Sequence, residues 1–347
     1  MKILQVCAYS APYPGNFIKS LLALEKQANN QGYKTIYCFP EKNKELDWCK
    51  ELENTNTVYY LPLRHARILP ATYWRLYRIF KDNPDICYAH SHFELYDNPL
   101  VLVAPKKVKI FWHLHDAIGN YLHGIYMYVW KLHYTLFSRR VHLLSVSEKH
   151  KNVVINLGFD ESRTLYIPNA IDTDRISLID AKCEIQYDFI IFGWDYLRKG
   201  VDLAISAVRD SKFLLGVVGG NIDKSELQNN VYNVKPSNDI NSIFSSAKCF
   251  LHISRAEGLS YALLEALYSG LPVIVSDIEE NLIAREFPTA YLVKNEDVEE
   301  IKHVMQHLAE MKFKLTLHDI QETRRLIEDK YSIQLWAQNI LNIYHTL

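Results

Sequence analysis

Ser254-Arg255-Ala256-Glu257-Gly258-Leu259-Ser260-Tyr261-Ala262-Leu263-Leu264-Glu265-Ala266-Leu267-Tyr268-Ser269-Gly270-Leu271-Pro272 follows a strand predicted over Cys249–Ile253, and it reads as tight loop, helix and the start of a further strand. Gly258 lets the backbone approach a ligand closely. Free amides at the helix start form a site for a phosphate. Gly270 is placed to end the helix and Pro272 to prevent its continuation. Glu257 falls in the loop, and Glu265 falls about two turns into the helix, beside Tyr261 and Tyr268. Two carboxylates so spaced can serve different ends of one ligand, one a sugar and the other a ribose. Residue types alone leave a plainer reading open: Glu257 as an acid favoured by the helix dipole and Glu265 as a solvated one. Leu263, Leu264, Ala266 and Leu267 speak for burial of Glu265, and a buried carboxylate needs partners.

The same rhythm runs through the rest of the chain. First-half strands are predicted over Lys2–Ala8, Thr35–Phe39, Ile86–Ala89, Lys109–Leu114, His142–Val146 and Leu165–Ile167. Second-half strands are predicted over Asp188–Phe192, Phe213–Val218, Val231–Val234, Cys249–Ile253, Pro272–Val275 and Ala290–Leu292. Apolar strands separated by helices mean parallel sheets covered on both faces. The rhythm resets once, after Tyr166-Ile167-Pro168-Asn169-Ala170-Ile171-Asp172, where a Pro-Asn turn leads into the polar stretch Thr173–Gln186. The expected fold class is α/β: two Rossmann-like, doubly wound domains facing a central cleft, over residues 1–170 and 171–329. Residues 330–347 form a terminal amphipathic helix, with Trp336, Ile340 and Tyr344 at helical spacing. Ligands of such sheets sit beyond the carboxyl ends of the strands.

The chain of 347 residues, 48% hydrophobic and 23% charged, has material for two cores. Its net charge of −1 hides an asymmetry. Residues 1–168 carry 21 Lys and Arg against 14 Asp and Glu; residues 169–347 carry 18 against 26. A basic first half fits an anionic partner, and plain drift in composition between domains is the alternative. The six cysteines form no CxxC pair and read as reduced, buried thiols, which fits the cytosol. No signal peptide and no apolar run of membrane-spanning length is visible.

Further segments add to the reading around Glu257 and Glu265. Asp85-Ile86-Cys87-Tyr88-Ala89-His90-Ser91-His92, Trp112-His113-Leu114-His115-Asp116, Ser145-Val146-Ser147-Glu148, Ile167-Pro168-Asn169-Ala170-Ile171-Asp172, and Phe192-Gly193 with Arg198-Lys199-Gly200 stand in order along the chain. With the E-x7-E spacing of Glu257 and Glu265, they resemble the motifs of the family-4 retaining glycosyltransferases (glycosyl transferases group 1), which have the GT-B fold. The resemblance covers nearly the whole chain. It implies a retaining hexosyltransferase-type enzyme that takes a sugar from a nucleotide-sugar donor, UDP-linked in preference to GDP-linked. It implies a glycan or lipid-linked saccharide acceptor, in cell-surface polysaccharide synthesis.

Roles follow from the resemblance position by position. Glu265 would bind the donor ribose and Glu257 the donor sugar. The amides of Gly258, Leu259 and Ser260 would hold phosphate or sugar. Lys199 would neutralise the pyrophosphate, with Gly193 in its loop and Arg198 reaching the same phosphates. Gly15 and Asn16, opening the first long helix, would close over those phosphates. His115, with Asp116 and Asn169, would face the transferred sugar and the acceptor; His115, Glu257 and Lys199 are the expected catalytic residues. The terminal helix would cross back to the first domain. The chain departs from the family in three places: Trp194 stands where arginine is common, Ala170 replaces the glycine of the P-N-G turn, and Ser260 stands where glycine is frequent.

Lysine, arginine and helix amides can stabilise a departing diphosphate without a divalent ion. No Asp-x-Asp pair stands at the end of a predicted strand, so no metal and no cofactor is expected. His90, His92, His113 and His115 alternate on two strands and could share a face, yet no third type of ligand completes a site. Two segments mix cations with aromatics: Arg64–Lys81, where Tyr73, Tyr77 and Phe80 share a helical face, and Gly124–Arg140. Such helices can lie on an anionic membrane, or their aromatics can be core. The expected location is the cytoplasm, with peripheral contact at the inner face of the membrane. Nucleic acid is not expected, because no binding motif accompanies the charge. The rival functions are a sugar-nucleotide epimerase on the same fold and a non-catalytic nucleotide-sugar sensor. A dehydrogenase is not expected, because Ala11-Pro12-Tyr13-Pro14-Gly15 stands where a GxGxxG loop would follow the first strand.

Overall fold

Runs rich in Val, Ile and aromatic residues form strands here because helices cover both of their faces. In the computed structural model, which describes residues 1–115, 125–179, 185–220, 222, 229–310 and 315–347, the chain divides into two units. One comprises Met1–Asn169 with Ile333–Leu347, the other Ala170–Ser332.

The first unit alternates β1 (Lys2–Cys7), α1 (Gly15–Asn30), β2 (Lys34–Pro40), α2 (Asp47–Glu53), β3 (Thr57–Leu61), α3 (Pro70–Asp82) and β4 (Ile86–His92). It continues with α4 (Asp97–Val103), β5 (Lys109–Leu114), α5 (Ile125–Phe137), β6 (Val141–Ser145), α6 (Glu148–Asn156) and β7 (Thr164–Tyr166). The strands pair in parallel in the order β3-β2-β1-β4-β5-β6-β7. Two strands differ from the sequence expectation by more than two residues at an end. β3 was not expected: it is an edge strand, half-buried, and its Thr-Val-Tyr-Tyr-Leu run follows a polar stretch that masks it. β4 runs three residues past Ala89, because pairing with both β1 and β5 carries His90, Ser91 and His92 into the sheet.

One face of this sheet packs Leu4, Val6, Trp112 and Leu114 against Leu76 and Phe80 of α3, Leu100 of α4, Tyr134 of α5 and Val154 of α6. The opposite face carries Gln5, Tyr88, His90, Phe111 and His113. It meets the terminal helix: the Tyr344 ring stacks on Tyr88 at 4.8 Å, and Trp336 stacks on His113 at 6.1 Å.

The second unit contains β8 (Tyr187–Phe192), α7 (Val201–Val208), β9 (Leu215–Val218), β10 (Val231–Val234), α8 (Ile240–Ser245) and β11 (Ala247–His252). It ends with α9 (Tyr261–Tyr268), β12 (Val273–Ser276), β13 (Ala290–Val293), α10 (Val298–Glu310) and α11 (Leu317–Tyr331). Its strands are also parallel, in the order β10-β9-β8-β11-β12-β13. Ser332, in extended conformation, separates α11 from α12 (Ile333–Thr346), which rejoins the first unit beside α1; Gln27 Nε2 donates to the Gln334 carbonyl at 2.9 Å.

Candidate functional site

In the second sheet the strand order reverses between β8 and β11. The loops that follow these two strands leave in opposite directions, and the opening between them is where doubly wound sheets take ligands. Gly193, Trp194, Arg198, Lys199 and Gly200 follow β8; Ser254 to Ser260 follow β11. Two glycines let these loops pack tightly on the neighbouring chain. A Cβ on Gly193 would lie 2.5 Å from Val217 Cγ1. Gly200 sits at φ +74°, and a Cβ there would collide with the carbonyl of Ile253.

Buried charge fills the opening. Lys199 Nζ donates to Glu257 Oε1 at 2.6 Å, and Arg198 Nη1 to Glu257 Oε2 at 3.4 Å. Arg198 is braced by Asp195 at 2.8 Å and by the Ala256 carbonyl at 3.2 Å. Burial pushes the Glu257 carboxyl up, but Lys199 and His252 outweigh it and hold the group at about 2. Burial also pulls the Lys199 ammonium below its ordinary value, against the opposing pull of Glu257. The exposed Trp194 ring lies 4.5 Å from the Arg198 guanidinium and 4.9 Å from Lys199 Nζ. The Trp194 ring thus lies against two neighbouring cations.

Helix α9 begins at the cap that Ser260 provides: its hydroxyl accepts from the Leu263 amide at 3.4 Å. The Ser260 hydroxyl is thereby committed to the helix, while Gly258 and Leu259 lead into it. Glu265 is buried, which removes the solvated reading, and its partner is Arg175. Arg175 lies in the turn after Ile171 and was not singled out from sequence, because 90 residues separate the pair. Asp172-Thr173-Asp174 of the same turn is an Asp-x-Asp triplet; Asp174 is exposed, and the pair joins no group of three ligand-type side chains among the described residues. Gly270, at φ +83°, ends the helix.

In the first unit Gly15 opens α1 at φ +53°, where a Cβ would lie 3.1 Å from Tyr9 Oη; Asn16 is buried in the first turn. His115 follows β5. Its Nδ1 lies 3.2 Å from Asn169 Oδ1 and its Nε2 lies 3.0 Å from His92 Nδ1. Burial lowers His115 to about 3, against the pull of the Asn169 hydrogen bond, so the ring is neutral near pH 7. Phe93 stacks on it at 4.5 Å and Phe17 meets it edge-on at 5.4 Å. Phe93 and Glu94 both have left-handed backbones, φ 63° and 55°, a conformation that non-glycine residues hold only where surroundings enforce it. Sequence reading missed Phe93, because nothing in a lone phenylalanine marks its backbone. Asp116 lies outside the described residues, as does Cys183; the other five cysteines are free thiols.

His90, His92 and His113 share a face and bring one ring nitrogen each within 4.8 Å of one another. Both nitrogens of His92 are already hydrogen-bonded, however, to His115 and to Gln5. A cation would have to displace one of those bonds. The aromatic segments are also sorted by the structure. In α3, Phe80 faces the core while Trp74 and Tyr77 are exposed, since the buried stripe runs Thr72, Leu76, Ile79, Phe80. Tyr73, Tyr77 and Phe80 therefore do not present one common face. In α5, Tyr134 is buried, whereas Tyr128, Val129, Leu132 and Leu136 are exposed. No helix among the described residues is long and apolar enough to cross a membrane.

Two family models match this chain: glycosyltransferase family 4 over residues 19–175, and glycosyl transferases group 1 over residues 181–328. An uncharacterized glycosyltransferase of Methanocaldococcus jannaschii is 25% identical over 61% of this chain. The O-antigen biosynthesis glycosyltransferase WclY of Escherichia coli is 28% identical over 52% of it. The chain spans 60% and 55% of the length of these two relatives. Among solved structures, Anabaena HepE in complex with UDP superposes with a TM-score of 0.78 at 14% identity, covering 100% of both chains. HepE has also been solved with UDP-glucose.

Proposed function

Because the chain belongs to the family-4, group 1 glycosyltransferases and has their GT-B fold, we propose that it transfers a sugar from a UDP-sugar to a glycan or lipid-linked saccharide, with retention of configuration and without a divalent metal. The observation that carries this reading is the buried Lys199–Glu257 pair, with half-buried Arg198 on the same carboxylate, at the strand-order reversal of the second sheet. The UDP bound to HepE supports the choice of nucleotide, and the O-antigen role in WclY's name supports a cell-surface glycan.

In the proposed reaction the bond from the sugar's anomeric carbon to the diphosphate oxygen breaks and UDP leaves. An acceptor oxygen bonds to the same face of that carbon, and its proton passes to a phosphate oxygen. Lys199 and Arg198 stabilise the charge that grows on the phosphates, already held in place by Glu257, Asp195 and Trp194. Gly193 and Gly258 admit the backbone to the ligand, and the amides from Gly258 to Ser260 bind phosphate or sugar. Glu265 takes the ribose hydroxyls, and Glu257 the donor sugar as well as Lys199. Gly15 and Asn16 serve the phosphates; His115, Asp116 and Asn169 serve the sugar and the acceptor.

Thermal unfolding with UDP, GDP, ADP and NAD in the presence of EDTA tests the proposal. Binding to the native state alone stabilises by about 2.7 kcal/mol at a hundred times Kd. UDP is expected to raise Tm in EDTA, and Glu265→Ala to lose that shift. No response to any nucleotide would overturn the donor assignment. Sugar epimerisation with donor alone would favour the epimerase, and binding without transfer to any acceptor the sensor.

The acceptor is proposed to sit at a membrane surface. On α5, Tyr128, Leu132 and Leu136 fall four residues apart and face outward beside Lys131, and α3 exposes Trp74 with Arg78. Anionic vesicles are expected to sediment the protein and neutral ones not, with Leu132→Glu/Leu136→Glu abolishing binding. Equal recovery in the supernatant with both would mean a soluble acceptor.

A further inference from the structure

A single line of hydrogen bonds crosses the buried histidine face of the first sheet. Asn169 Oδ1 lies 3.2 Å from His115 Nδ1, His115 Nε2 3.0 Å from His92 Nδ1, and His92 Nε2 3.0 Å from Gln5 Oε1. Gln5 Nε2 then lies 3.2 Å from Tyr344 Oη, and Tyr344 Oη 2.7 Å from His90 Nδ1. All six residues are buried, and they come from β1, β4, α12 and the segments after β5 and β7.

A neutral imidazole has one N–H and one lone pair. His115 and His92 each use both nitrogens, so each must donate at one end and accept at the other. From Asn169 through Gln5 the line therefore has one direction, and it runs on to His90 where the Tyr344 hydroxyl donates to one neighbour and accepts from the other. In one direction His90 Nδ1–H donates to Tyr344, the Tyr344 hydroxyl to the Gln5 carbonyl, and the Gln5 amide to His92 Nε2. His92 Nδ1–H then donates to His115 Nε2, and His115 Nδ1–H to Asn169 Oδ1. This requires the Gln5 amide to be turned over, an assignment that hydrogen-bond accounting makes. The reverse direction requires the Asn169 amide to be turned over instead. The two differ at His90 Nε2, which has no hydrogen-bond partner. The first direction leaves a bare lone pair there; the second leaves a buried donor, either His90 Nε2–H or, if Tyr344 Oη accepts from both neighbours, the Tyr344 O–H. An orphaned buried donor is the costlier and rarer of the two.

We infer that Gln5, His92 and Tyr344 are positioning residues: they hold His115 as its Nδ1–H tautomer and fix which end of the Asn169 amide faces it. Both ring nitrogens of His115 are spent inside the first unit, so His115 acts by anchoring Asn169 and presenting its ring, not by passing a proton to the acceptor. The tautomer stands on the hydrogen bonds alone; its bearing on transfer rests on the proposed role of His115 and Asn169.

The test is nitrogen-15 NMR of histidine side chains in the full chain near pH 7. His90, His92 and His115 are expected as Nδ1–H tautomers, the form less populated by free imidazole. Gln5→Glu, with its carboxylate ionised, can only accept from His92, so it is expected to switch His92 and His115 to Nε2–H. Tyr344→Phe keeps the ring packing and cuts the line, and is expected to give mixed tautomers at His92 and His115. His115 as Nε2–H in the wild type, or one unchanged tautomer in Tyr344→Phe, would overturn the inference. With the tautomers as expected, Tyr344→Phe should lower kcat severalfold at unchanged donor KM. Unchanged kcat with altered tautomers would support the relay and remove His115 from the transfer step.

Discussion

Lys199 and Glu257 are each more than nine-tenths buried, and neither is stable there without the other. Removing one partner of such a pair costs about 3–5 kcal/mol, because the remaining charge has no solvent to turn to. Lys199→Met is therefore expected to lower Tm by many degrees and abolish the UDP shift. Lys199→Met/Glu257→Leu should recover much of the stability and none of the binding. A double variant that still bound UDP would remove Lys199 from the phosphate site. Trp194 should behave in the opposite way: 63% exposed, it contributes little to folding. Trp194→Ala is expected to cost under about 1 kcal/mol of stability and to weaken UDP binding by releasing Arg198 and Lys199; equal UDP affinity would show the stacking to be incidental. Much at this scale could be read in advance. The leucines beside Glu265 marked it as buried. Its partner could not be found that way, since Arg175 reaches it only through folding.

Among the elements, α9 shows how a short helix holds a site. With eight residues it depends on its ends, Ser260 at the start and Gly270 after it. Ser260→Ala is expected to destabilise by about 1 kcal/mol and Ser260→Gly by a few tenths, both measurable by denaturant unfolding. Equal losses from the two would mean that the Ser260 hydroxyl does more than cap. Central strands announced themselves, because sheets covered on both sides need uninterrupted apolar runs. The edge strand β3 and the end of β4 did not: one packs on a single neighbour, the other carries histidines that only pairing on both sides makes strand-like. Likewise, helical spacing set Tyr73, Tyr77 and Phe80 together, and only the packed sheet sorts inward from outward.

Across the whole molecule, burial depresses the protonation of seven histidines among the described residues. His90, His92 and His113 are held well below their ordinary value, His115 at about 3, and His133, His142 and His252 at about 4. Below about pH 6.5 the unfolded chain binds protons that the folded one refuses. Stability is thus complete above that pH and falls as pH drops, by up to about 1.4 kcal/mol per pH unit for each fully buried ring. All but His252 belong to the first unit, so its transition should move to lower temperature first. Glu257, with its carboxyl depressed, adds a loss in the second unit between its ordinary range and about pH 2. Calorimetry from pH 8 to 4 would check this, and a first transition constant from pH 7 to 5 would contradict the neutral, buried histidines.

The first unit is also assembled from two pieces of chain, with Ile333–Thr346 closing over a face laid down by residues 1–169. On the ribosome these pieces are born apart. Residues 170–332 must be translated in between, which at 5–20 residues per second takes roughly 8–30 s. During that interval Tyr88, His90, Phe111 and His113 have no lid, and the earliest-made sheet is the last to be finished. The nascent chain is therefore a natural client for chaperones that bind aromatic surface, and a ribosome stalled anywhere before α12 would leave an N-terminal half that cannot complete itself.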